Sequence, residues 1–222
     1  MKKIVSGLLV LLCTASVNPT RGQSPVSGTA TYESENLSRM NMGGQQLEQR
    51  MNLSLSLDFS GKYCRVTALL GVGPQEIGGG GLKLNGIPPQ QKYYVPGDKA
   101  FYQLTQAKGK IYAIRSEPKD ITDLSITGRK DTIFGYTCHE FTYKSNGELV
   151  TGWYTPDLPA IVAPHEVTGV PGGILKIESK NYNSMVTSIK VGTTVSEADL
   201  KLPANSIKIS NVDFAKEMVG NR

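Results

Sequence analysis

Residues 51–59 alternate without a fault: Met51, Leu53, Leu55, Leu57 and Phe59 are apolar, and Asn52, Ser54, Ser56 and Asp58 between them are polar. A period of two puts every second side chain on one face of a β-strand, so this segment has one buried face and one wet face. Gly61 turns the chain, and residues 62–69 read as the next strand. Upstream, the Thr-rich residues 26–34 are also strand-like, with Asn41-Met42-Gly43-Gly44 in the connection. Further strand material lies at 91–95, 100–104 and 110–115, followed by an acidic, small-residue connection at 117–128.

Two hairpins follow. Residues 137–144 and 148–155 flank Asn146-Gly147, a pair that tolerates the positive φ of a tight two-residue turn. Residues 174–179 and 184–191 flank Asn181-Tyr182-Asn183. Helical periodicity is scarce: a capped turn at 196–202 with Ser196 as its cap, and a short C-terminal helix at 212–219. The expected architecture is therefore mainly β, a single curved antiparallel sheet in the manner of a half-barrel, with few short helices. No amphipathic helix that would cover the inner face of such a sheet stands out in the sequence.

The N-terminus reads as an address. Lys2 and Lys3 precede the apolar run of residues 4–12, Pro19 breaks any helix, and Thr20 and Gly22 supply small residues before Gln23. Residues 1–22 are expected to be a secretory signal peptide and residues 23–222 a single domain, periplasmic or secreted. The apolar run is too short to cross a bilayer, so no transmembrane span is expected in the mature chain. Without residues 1–22 the 24 basic residues fall to 21 against 19 acidic ones, a net charge of +2. No basic cluster remains to neutralise phosphates, which argues against nucleic-acid binding.

Cys64 and Cys138 remain after processing. In an oxidising compartment the pair can form a disulfide, worth about 4 kcal/mol if unstrained. Two separately buried thiols are the other reading, and both stay open. Cys138 and His139 are neighbours on a strand and point to opposite faces, and the chain has no zinc-binding spacing, so no metal and no cofactor are expected. His165 and Glu166 lie in a Pro-bounded loop, where a solvated pair is preferred over a ligand or base. Trp153 reads as core or rim packing. Residues 71–89, rich in Gly and Pro, form a long loop. The glycines at 71, 73 and 78–81 lack the strand, helix and Lys-Ser/Thr context of a phosphate cradle.

No catalytic constellation is legible, and the chain is expected not to be an enzyme. A hydrolase with dispersed residues needs two titratable groups converging in one cleft.

Gly169-Val170-Pro171-Gly172-Gly173-Ile174, followed by Leu175-Lys176-Ile177, resembles the signature of the GLPGLI family of secreted bacterial proteins. Thr151 to Pro159 resembles the aromatic–Thr–Pro segment before that signature, and Ile133-Phe134-Gly135-Tyr136-Thr137-Cys138 its I-x-G-Y-x-C strand. Residues 199–205 resemble the closing F-x-L-P-x-G pattern of lipoprotein carriers. The chain departs at Gly173, Leu200 and Asn205, where Leu, an aromatic residue and Gly are the pattern. The match spans residues 130–205 and does not separate GLPGLI from neighbouring uncharacterised families of the lipoprotein-carrier (LolA-like) superfamily.

The resemblance implies a half-barrel of the bacterial envelope whose concave side takes acyl chains or a protein segment, and no reaction. Physically, Gly169, Gly172 and Gly173 permit positive φ or close backbone approach and Pro171 fixes φ, so the motif reads first as structural. The first functional expectation is a non-enzymatic protein binding lipid, lipoprotein or another apolar ligand, with Met51, Leu53, Leu55, Leu57 and Phe59 as candidate lining. The alternative is an envelope interaction or assembly factor that contacts another envelope protein through residues 71–89.

Overall fold

The computed structural model describes residues 26–42, 45–70, 90–121, 123–145, 147–180, 182–192 and 195–219. The segments expected to be a signal peptide and a Gly/Pro loop lie outside the described residues.

The alternating segment is the second half of a long hairpin. Strands β1 (Ser27–Met42) and β2 (Gln45–Ser60) pair in unbroken antiparallel register from Ser27↔Ser60 to Met42↔Gln45. Both run further than the alternation alone indicated, because Met42 is still paired where a connection was expected. The strands β3 (Tyr63–Leu70), β4 (Gln90–Val95), β5 (Ala100–Ala107) and β6 (Lys110–Ser116) continue the meander outward. After them come β7 (Lys119–Asp120), β8 (Ser125–Ile133), β9 (Tyr136–Ser145) and β10 (Glu148–Thr155). The chain ends with β11 (Val167–Thr168), β12 (Gly173–Ser179), β13 (Tyr182–Val191), β14 (Ser206–Ile209) and helix α1 (Asn211–Val219).

Twelve of these strands form one open, curved sheet in the order β14-β6-β5-β4-β3-β2-β1-β13-β12-β10-β9-β8, and β7 and β11 form a separate parallel pair. The sheet does not close into a barrel. Register shifts at Thr31/Tyr32 and at Trp153/Tyr154 interrupt the ladders. Such bulges bend a strand and increase its local twist, which helps a sheet of this width to curl. At one edge β14 joins β6 in parallel. There Ser210 Oγ accepts from Asp213 N (3.0 Å) and starts α1, and Phe214 packs edge-on against Tyr112. The 3-10 turn Ala198–Leu200 has Glu197, not the expected Ser196, at its N-cap, and Ser196 Oγ accepts from Asp199 N at 3.3 Å from one residue further out.

Register defines the inner face. Ala30, Tyr32 and Ser34 on β1 stand opposite Leu57, Leu55 and Leu53 on β2, which stand opposite Val66, Ala68 and Leu70 on β3. Across β13 the same face continues with Tyr32↔Val186, Ser34↔Ser184 and Asn36↔Tyr182. Over this face lies the β10–β12 connection, residues 156–172. Leu158 and Val162 from it pack with Tyr32, Leu55, Leu57 and Phe59. Ala163, Val167 and Val170 pack with Phe141, Tyr154, Ile174 and Ile177. A mostly irregular segment, with only a 3-10 turn at Pro164–Glu166 and the two residues of β11, therefore buries the inner face.

The two cysteines follow the second of the two readings left open, separately buried thiols. Cys64 and Cys138 are buried free thiols, with no disulfide between them. They lie on β3 and β9, with five strands of the sheet order between them. Burial is the leading cause that raises both thiol pKa values, and each behaves as a small apolar side chain.

Candidate functional site

The covering segment is stitched to the strands at its ends. Gly173 N donates to Leu158 O (3.0 Å) and Ile174 N to Val162 O (2.7 Å). The buried Tyr32 hydroxyl donates to the Ile174 carbonyl at 2.8 Å. The Gly-Val-Pro-Gly-Gly-Ile motif makes this closure sterically feasible. A Cβ on Gly172 would lie 2.1 Å from the Thr155 carbonyl oxygen, and one on Gly173 2.6 Å from Leu158 Cβ. Val170 and Ile174 are buried, Pro171 is exposed, and Gly169 has φ 94°. The motif thus shapes the cover, and none of its residues lines either of the two clefts described next.

At the middle of the cover, His165 and Glu166 both adopt left-handed backbone, with φ of 57° and 60°. For residues with a Cβ this costs roughly 1–2 kcal/mol each and persists only where surrounding contacts impose it. Those contacts are present. His165 Nε2 and Ser34 Oγ share a 3.1 Å hydrogen bond, and Ser34 Oγ and Ser184 Oγ share one of 2.7 Å. The imidazole meets the Tyr182 ring edge-on, centroids 4.6 Å apart. Glu166 pairs with Lys92 and accepts from Ser116 Oγ at 3.1 Å. Burial, with Lys119 and Lys92 adding to it, pulls the His165 pKa from 6.5 to about 4. The pair expected to be solvated is instead pinned to β1, β4, β6 and β13. Proline and glycine spacing carries no trace of those long-range partners.

His165 is the common wall of two clefts on the inner face. The larger, about 420 Å³, runs over β13, β12, β10 and β9. Its walls carry Tyr143, Tyr182, Val150 and Ile177, with Asn36, Ser145 and Ser179, and one charge of each sign in Lys119 and Glu148. The smaller, about 180 Å³, has apolar walls of Leu53, Leu55, Val66 and Ala68, with Lys92, Glu166 and Gln90. The Tyr182 hydroxyl is buried without a hydrogen bond of good geometry, and burial is the main reason its pKa is raised.

Among the expected lining residues, Leu53 and Leu55 line the smaller cleft. Leu57 and Phe59, 1% and 0% exposed, pack beneath the cover. The side chain of Met51 lies outside the described residues. His139 stacks obliquely on Tyr154, and Trp153 is buried with the Arg129 guanidinium over its ring. Among the described residues no three His, Cys, Asp or Glu side chains gather as metal ligands.

The Ser34–His165 contact has the length of a nucleophile–base pair. Yet Ser34 is 4% exposed and lines neither cleft, so the contact ties the cover to the sheet. Lys92, His165 and Glu166 do converge on the smaller cleft, but the lysine and glutamate satisfy each other and the imidazole is neutral above about pH 4.

No family model matches the chain, and no curated protein matches it. Among solved structures, PNGF-II in a C2 crystal form superposes with a TM-score of 0.53 at 13% identity, over 88% of this chain and 33% of that one. At that identity the likeness is one of fold, and this chain spans about a third of the length of PNGF-II. A P21 crystal form of PNGF-II gives a TM-score of 0.45. A DUF1329 family protein from Desulfovibrio piger aligns over 83% of this chain and 92% of that one, at 9% identity and a TM-score of only 0.25.

Proposed function

We propose that this is a non-enzymatic protein of the bacterial envelope, secreted or periplasmic, that binds one amphiphilic ligand on the inner face of its sheet. The observation that carries the reading is that His165 borders both clefts, one apolar-walled and one mixed. A short alkyl or acyl chain suits the walls of Leu53, Leu55, Val66 and Ala68. Its polar end then passes His165 into the larger cleft, whose 420 Å³ falls in the usual range of small-molecule sites, about 300–1,000 Å³. The left-handed His165–Glu166 step supports the same place, since held backbone strain gathers at ligand clamps. The motif resemblance to secreted families near the lipoprotein carriers agrees with it.

The test is native mass spectrometry of the protein purified from an envelope fraction, with organic extraction of what is released. The expected result is an adduct that Ala68→Glu removes while the urea midpoint stays near that of the parent protein. An adduct that survives both Ala68→Glu and Tyr182→Ala overturns the reading, because the ligand then sits elsewhere.

A further inference from the structure

We infer that the polar end taken by the larger cleft is an uncharged, hydroxylated ring, a sugar-type group, either free or carried on an alkyl or acyl chain. The inference rests on the proposed amphiphile reading and names the class of its head. The argument is one of matched chemistry. Lys119 and Glu148 put one charge of each sign in the same wall. An anionic head gains at the lysine and loses at the glutamate, and a cationic head does the reverse, so a net charge has no clear advantage. His165 adds none, because its ring stays neutral above about pH 4.

The remaining polar wall is built from groups that both donate and accept, above all the Asn36 amide. Sugar hydroxyls have that same dual character, which a carboxylate or an ammonium lacks. Tyr143 and Tyr182 contribute ring surface, beside Val150 and Ile177, against which the C–H face of a ring can lie. A purely aliphatic chain would give the Asn36 amide no partner, which costs roughly 1–3 kcal/mol if that group is left unsatisfied.

The experiment compares probes with one chain and different heads, all below their micelle concentrations. They are octyl glycosides (glucoside, galactoside, mannoside), octanoate, octyltrimethylammonium and an octyl sulfobetaine, with the matching methyl glycosides as heads without a chain. Affinities are read by calorimetry. At least one octyl glycoside is expected to bind about tenfold tighter than every charged or zwitterionic probe, a gap of about 1.4 kcal/mol. Asn36→Ala and Tyr143→Leu should erase that gap by weakening the glycoside more than octanoate.

Binding of a methyl glycoside with the same dependence on Asn36 identifies a free sugar as sufficient. Its failure beside a binding octyl glycoside identifies a glycolipid-type ligand. Equal affinity for all octyl probes, or preference for a charged or zwitterionic one, overturns the inference and leaves the amphiphile reading standing. If no octyl or methyl probe binds, both fall.

Discussion

Ser34 and His165 are 131 residues apart in sequence and 3.1 Å apart in space. That contact, extended by Ser184 at 2.7 Å from Ser34, fixes the middle of the covering segment to the centre of the sheet. Ser34→Ala should leave the buried Ser184 hydroxyl and the imidazole short of a partner, at a cost of about 1–3 kcal/mol. Urea unfolding of the two proteins measures it, and an unchanged midpoint would show that the contact does not hold the cover.

His165 gives stability a pH dependence. Between pH 6.5 and about 4 the unfolded chain binds a proton at this site that the folded chain refuses. Stability from this group is therefore complete above pH 6.5, falls as pH drops through that window, and is lost below about 4. The total is about 3 kcal/mol. His165→Asn tolerates left-handed backbone and cannot titrate there, so it should flatten the urea midpoint against pH across the window.

Leu57 and Leu53 lie on the same strand face and should separate packing from binding. Leu57→Ala removes a 1%-exposed side chain from the core and should cost about 2–5 kcal/mol. Leu53→Ala, on the wall of the smaller cleft, should cost less and should weaken octyl-probe binding. Equal losses of stability at both positions would show that the smaller cleft is packed core.

Gly172→Ala should be among the most damaging single changes, because the new methyl meets backbone at 2.1 Å. Gly97→Ala, with nothing within 4 Å, is the control. Thermal melts should fall for the first and hold for the second.

The thiols make a chemical prediction. In protein lacking residues 1–22, Cys64 and Cys138 should resist a disulfide reagent while folded, and both should react once unfolded without reductant. A mass lower by about 2 Da before reduction would show a disulfide instead.

Much of the sheet was legible because it is built locally. The alternation at 51–59 gives the buried face of β2, and Asn146-Gly147 gives the β9–β10 hairpin, where Gly147 has φ 80°. Strand β8 was not legible, since all its residues but Ile133 are exposed and no alternation marks it. The four residues of β14 gain their strand only by joining β6 in parallel from far along the chain. The site was the least visible part. Leu158, Val162, Val167 and Val170 have no period, because each is buried by an irregular path. His165 touches Ser34 and Tyr182 and feels the charges of Lys92 and Lys119, none of them near it in sequence.

The cover is continuous with β10 and β12, hydrogen-bonded to its own flanks, tied to β1 through His165 and laddered to β7 through β11. Lifting it would tear ladder bonds, so it is not a swinging door. On the proposed reading, a ligand enters sideways, through openings whose calibre is set when the chain folds. If that reading holds, retuning the ligand means recutting the walls, one side chain at a time; loosening a hinge would achieve nothing.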